Sequence, residues 1–167
     1  GYYNTMVGHG NSRRYTTGLN HCSVGTYASA YTTTAAGNAT FGSYAGHSTT
    51  TGEYNTAIGT QAGYTNTTGQ ENVFIGTNGG RGNTTGSANT VIGFRAGYGR
   101  TTGGSNVIIG SDASYSVGTG NNNVAVGVNA GYNWTSAYNN TCVGYNARTD
   151  EYNSYGAITI GYNGLGV

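Results

Sequence analysis

The stretch Asn55-Thr56-Ala57-Ile58-Gly59-Thr60-Gln61-Ala62-Gly63-Tyr64-Thr65-Asn66-Thr67-Thr68-Gly69 decides the fold, because the chain is this motif written over and over. Aligned on Asn55–Gly59, the sequence falls into a seventeen-residue period anchored at Gly8, Gly25, Gly42, Gly59, Gly76, Gly93, Gly110, Gly127, Gly144 and Gly161. No insertion or deletion interrupts the series. The residue before each anchor is Val7, Val24, Phe41, Ile58, Ile75, Ile92, Ile109, Val126, Val143 or Ile160, always β-branched or aromatic. Four residues before the anchor stands Asn, except at His21 and Ala157. Three residues after it, Ala recurs at 28, 45, 62, 96, 113, 130 and 147, and a Thr-Thr-Gly step follows later in the unit.

A gap-free period means that each unit does one structural job and stacks on its neighbour. Helix is excluded by chemistry: Gly costs about 1 kcal/mol per helical position, and Asn and Thr are poor helix formers. Asn-x-x-(Val/Ile) reads as a short strand closed by Gly, and Thr60–Tyr64 as a second short strand before the Thr-Thr-Gly corner. Short strands with Gly and Asn corners at fixed period describe an all-β fold, a β-solenoid or β-roll of ten seventeen-residue coils. The array covers 1–167 as a single unit. With coils about 4.8 Å apart, the Val/Ile column is expected to be the core ladder and the Ala column the opposite wall.

Within the strand, the column between the first residue and the Val/Ile position reads Met6, Ser23, Thr40, Ala57, Phe74, Val91, Ile108, Ala125, Cys142 and Thr159. It carries no charge or amide, so the strand is apolar on both faces, and only one of them can meet the coil interior. The other needs a partner, which predicts self-association as a trimer or filament. Gly1 falls at the Thr-Thr-Gly glycine position and Val167 stops within the tenth unit. The expectation is a piece of a longer fibre, or a protomer that stacks end to end. Cys22 and Cys142 lie seven coils apart, roughly 34 Å, too far for a disulfide; each reads as a small apolar residue in its column.

The Asn55–Gly69 unit resembles the repeat of bacteriophage tail fibres and bacterial surface adhesins, where such units often precede a self-cleaving chaperone domain. It is also similar to the head repeats of trimeric autotransporter adhesins. The resemblance covers essentially the whole chain. It implies a left-handed β-roll, three chains around one axis, and service as a shaft or display surface.

The composition narrows function further. The chain has 167 residues, with 32 Gly, 27 Thr, 21 Asn and 16 Tyr, no Pro and no Lys; only 7% are charged, for a net +1. An average domain is about a quarter charged, so there is no basic stripe for nucleic acid. No apolar run of about 18 residues supports insertion into a membrane as a helix. The acids Glu53, Glu71, Asp112, Asp150 and Glu151 occupy scattered repeat positions, and no nucleophile–base constellation accompanies them. The chain therefore reads as no enzyme, with no cofactor and no metal; His9, His21 and His47 share no column and read as solvent-facing.

Two sets of residues are binding or modification candidates. Tyr64, Tyr98, Tyr115 and Tyr132 share one repeat position and could form an aromatic stripe, with Trp134 beside it, for sugar rings or another fibre. Asn38, Asn66, Asn83, Asn133 and Asn139 satisfy Asn-x-Ser/Thr, and Asn66, Asn83 and Asn133 fall at the corner where a glycan could project. The paired Thr columns raise ice binding, but adjacent Thr in a strand would face opposite sides. The leading expectation is a structural fibre segment of an extracellular appendage, cell surface or virion, such as a phage tail fibre. The alternatives are an adhesin that binds cell-surface glycans through its Tyr columns and a self-assembling, glycosylated filament protomer.

Overall fold

The computed structural model describes residues 2–116, 118–149 and 153–166; the acids Asp150 and Glu151 lie outside them. Among these residues there is no helix. The strands are β1 (Thr5–Val7), β2 (Cys22–Val24), β3 (Ala39–Phe41), β4 (Thr56–Ile58), β5 (Val73–Ile75), β6 (Thr90–Ile92), β7 (Val107–Ile109), β8 (Val124–Val126), β9 (Thr141–Val143), β10 (Arg148–Thr149), β11 (Ile158–Ile160) and β12 (Leu165–Gly166). Ten of them form one parallel sheet in chain order, β1 through β9 and then β11. Register is constant: Thr56 pairs with Val73, Ala57 with Phe74, and Ile58 with Ile75, each one repeat apart. The fold is a parallel β-solenoid with one strand per seventeen-residue coil.

The side of the strand that faces inward is the reverse of the sequence expectation. Ser23, Thr40, Ala57, Phe74, Val91, Ile108, Ala125, Cys142 and Thr159 are buried, whereas the Val/Ile column faces out, with Ile58 41% exposed. Asn precedes the strand on the inner side, and its amide is held inside the coil. The middle residue, two positions on, therefore shares that inward face. The Ala column is buried as expected, at Ala28, Ala45, Ala62, Ala96, Ala113, Ala130 and Ala147.

The second strand expected at Thr60–Tyr64 is a run of turns instead. Gln61 (φ 56°) and Gly63 (φ 57°) both adopt left-handed conformations, which curl the chain back toward the sheet. Its amides still bond along the axis: Gln61 N–H donates to Ser43 O at 2.9 Å and Gly63 N–H to Gly79 O at 2.9 Å. Among the described residues β10 and β12 form a second parallel pair, and isolated parallel bridges join Arg100 to Gly118 and Tyr138 to Tyr155. The Thr-Thr step is a bend rather than strand, so both columns reach the surface. From Thr16 to Thr84 the first Thr of the pair turns its hydroxyl along the axis, as in Thr67 Oγ1 to Thr84 O at 3.0 Å and Thr84 Oγ1 to Thr101 O at 2.8 Å.

The narrow interior is filled by compensation between neighbouring columns. Phe74 fits because Gly63 and Gly80 stand where a Cβ would lie 2.6 Å and 2.1 Å from its ring. Trp134, 1% exposed, is accommodated in the same way by Gly131, and its Nε1–H donates to Thr149 Oγ1 at 3.0 Å. The buried thiol of Cys142 is pushed up to about 11, so it stays protonated and serves as a small apolar filler. Cys22 lies on the outer side of β2, half-buried and unpaired.

Candidate functional site

The asparagines that open most units form an amide ladder inside the solenoid, unbroken from Asn55 to Asn140. The Nδ2 of Asn72 donates to Asn55 Oδ1 at 3.0 Å and to Gly86 O at 2.8 Å, while the Asn72 backbone N–H donates to the same Asn55 Oδ1 at 3.0 Å. The pattern recurs at Asn89, Asn106, Asn123 and Asn140. From Asn72 to Asn123 each Oδ1 accepts two hydrogen bonds, its full capacity, whereas among the described residues Asn140 Oδ1 accepts only the Ala157 backbone N–H. One Nδ2 bond crosses the interior to the glycine-step carbonyl of the same coil and closes it; the others tie adjacent coils together.

His21 interrupts this ladder. It is 1% exposed, not solvent-facing as expected, because it occupies the Asn position on the inner face. Its backbone N–H donates to Asn4 Oδ1 at 2.8 Å, but neither ring nitrogen has a partner, and the Tyr15 ring lies 5.3 Å away. Burial lowers its pKa from 6.5 to about 4. The folded state therefore binds fewer protons than the unfolded one between those values. Stability is full above about pH 6.5 and falls as the pH drops toward 4, by about 3 kcal/mol in total. His21→Asn supplies the missing Oδ1 acceptor and is expected to stabilise by about 1–2 kcal/mol. The same variant should flatten the pH dependence of the melting midpoint between pH 7 and 4, as followed by circular dichroism.

The tyrosine column forms a stack, as expected. Tyr98 and Tyr115 lie 5.2 Å apart at 9°, and Tyr115 and Tyr132 lie 5.2 Å apart at 7°. Where the column lacks Tyr, Arg81 fills the gap, with its guanidinium 5.3 Å from Tyr64 and 5.5 Å from Tyr98. His47 continues the stack, parallel to Tyr64 at 4.8 Å, and burial lowers its pKa. Arg95 forms a two-point ion pair with Asp112 one coil on, at 2.9 Å and 3.1 Å, and lies 5.3 Å from Tyr115. The rings cover one another's faces, so the stripe presents ring edges and phenol oxygens to solvent.

Trp134 is not part of this stripe; it lies in the core, because its repeat position faces inward. Asn66 and Asn83 share that position. They are 1% and 3% exposed, and their amides bond to each other at 2.9 Å and to Gly69 O and Gly86 O at 3.0 Å. Neither amide can carry a glycan with the coil closed. Asn133, one position earlier, is half-exposed. Arg100 occupies the same inward position as Asn83. It donates to Ser114 Oγ at 3.1 Å and to Gly120 O, and burial holds its pKa down to about 10.

Among the described residues, no group of three or more His, Cys, Asp or Glu is placed to hold a metal ion, and no helix is long and apolar enough to cross a membrane. A cleft of about 490 Å³ opens over coils 1 to 3, lined by Arg13, Arg14, Tyr27, Ala30, Tyr31, Tyr44 and His47. Sequence reasoning passes over it because its residues come from three different repeat positions. The one available signal is Ala30, a small residue in the column that holds Tyr in later coils. No known protein family, curated protein or solved structure matches this chain.

Proposed function

We propose that this chain is a structural fibre segment, of the kind found in phage tail fibres and extracellular appendages, and that it works by reach and surface display. The observation that carries the reading is the outer face of the sheet. From Thr5 to Ile160 every residue of the two outward columns is exposed or half-exposed, and none is charged. Ten rungs span roughly 43 Å, and a band about 14 Å wide gives ~600 Å² a side. Two such faces bury ~1,200 Å², the lower end of a stable interface. Only a body with the same axial spacing can meet every ridge of this band, which points to further copies of the chain as a trimer or filament. Cohesion by axial ladders and a nearly uncharged surface suit a shaft exposed outside the cell.

Ile58→Asp with Ile92→Asp places charge on that face and leaves the core column intact. The wild type is expected to sediment as an oligomer, and the double variant as a folded monomer with at least about tenfold weaker association. A wild type that stays monomeric in analytical ultracentrifugation would remove the self-associating shaft. The second reading is an adhesin that uses Tyr64, Tyr98, Tyr115 and Tyr132. The observation in its favour is the continuous run of phenol edges along the axis.

A further inference from the structure

Two rows of aromatic contacts, part stacked and part edge-on, run along the face that carries the tyrosine column. One passes from Tyr44 to Tyr27 at 5.4 Å and on to His9 at 5.5 Å. The other passes from Tyr64 through His47 to Tyr31 at 4.9 Å. They meet at coil 3, where Tyr44 and His47 lie 5.4 Å apart. Between them lies the 490 Å³ cleft, a size typical of small-ligand sites. Its floor is Ala30, which opens the space that a ring fills in later coils.

The mouth of this cleft is cationic. Arg14 lies over Tyr31 at 4.6 Å and Arg13 over Tyr27 at 5.9 Å. The one ion pair among the described residues is Arg95–Asp112, so neither guanidinium meets a carboxylate. The hydroxyls of Tyr27, Tyr31 and Tyr44 have no hydrogen-bond partner among the described residues. Aromatic walls, unclaimed phenol hydroxyls at their rim and two unpaired guanidinium groups suit a ligand with an apolar ring face, several hydroxyls and an anionic group.

We infer that the cleft binds one acidic sugar residue, carboxylated or sulfated, of a longer polysaccharide. The pyranose sits between Tyr27/Tyr44 and Tyr31 over Ala30, and its anion sits on Arg13 and Arg14. A nucleobase could enter the same walls, but the chain carries no basic stripe to hold the phosphate backbone of a nucleic acid. The site is separate from the outward Val/Ile face, so it does not depend on the shaft reading.

The test is isothermal titration calorimetry with a galacturonic acid oligomer, a heparin-derived oligosaccharide, a neutral cello-oligosaccharide and oligo(dT). The wild type should bind one or both acidic saccharides at least about tenfold more tightly than the neutral one, and more weakly as salt rises. Arg13→Gln with Arg14→Gln should weaken binding about tenfold. Ala30→Tyr, which fills the floor, should abolish it. Thr102→Ala, at an exposed corner away from the cleft, should leave it unchanged. Circular dichroism checks that each variant is folded, and the surface arginine pair keeps the test valid if Ala30→Tyr is not. The inference is overturned if neither acidic saccharide binds, if the neutral one binds equally, or if oligo(dT) is preferred. It is also overturned if the arginine variant binds like wild type. It is overturned too if Tyr98→Ala with Tyr115→Ala abolishes binding while the arginine variant does not.

Discussion

Asn89→Ala is expected to lower the stability of the folded chain by about 4 kcal/mol, although it removes only a small side chain from one coil of ten. Asn89 Nδ2 donates to Asn72 Oδ1 at 3.1 Å and to Gly103 O at 2.9 Å, and Asn89 Oδ1 accepts the backbone N–H and the Nδ2 of Asn106 at 3.1 Å and 2.9 Å. Truncation strands the Asn106 backbone N–H and the Gly103 carbonyl in a dry interior, at about 1–3 kcal/mol each, and leaves a small cavity besides. In a one-dimensional stack this loss also uncouples the coils on either side, so the thermal transition should broaden or split. Thr102→Ala, at an exposed corner, is the control and should stay within about 0.5 kcal/mol of wild type. Asn89→Asp sharpens the test. It keeps the acceptor for Asn106 but turns a carboxylate oxygen toward Asn72 Oδ1 and Gly103 O. Burial among acceptors raises a carboxyl pKa, so this variant should recover stability relative to wild type as the pH falls. An Asn89→Ala melt that overlays wild type would show that the ladder contributes nothing.

The rung, the corner glycines and the alanine wall are all legible in the sequence, because each is a constraint that recurs every seventeen residues. The inner face of the strand is not. Its three residues are apolar in both columns, so hydrophobic contrast cannot choose between Ala57 and Ile58. What chooses is Asn55, whose amide donates to Gly69 O across the coil and accepts from Asn72 in the next one, and it sets the parity for the residues that follow. The same logic misplaces Asn66, Asn83 and Trp134: a polar sequon or an aromatic residue suggests surface, while the repeat position faces inward. His21 misleads for the same reason, since it inherits the buried position of the asparagine it replaces. The tyrosine stack is legible because it needs only one repeated column, whereas the cleft over Ala30 requires knowing how three columns lean toward one another.

The anchor glycines make the sharpest contrast between two like substitutions. Gly93 adopts φ +138°, and a Cβ there would lie 2.6 Å from the carbonyl oxygen of Gly110 in the next coil. Gly161 adopts φ +126°, yet nothing lies within 4 Å of its Cβ position. Both sites carry the strain of a side chain in a region that Gly alone adopts readily, about 1–3 kcal/mol. Only Gly93→Ala also pushes backbone against backbone, which no rotamer can relieve. Because Gly110 repeats the same contact with Gly127 O at 2.4 Å, a rung displaced at coil 6 cannot be absorbed by its neighbour. Gly93→Ala should therefore cost about 4 kcal/mol or more, against about 2 for Gly161→Ala, as read from denaturation midpoints followed by circular dichroism. Equal effects at the two positions would mean that conformational strain alone, and not the close approach of successive coils, accounts for the ten glycines.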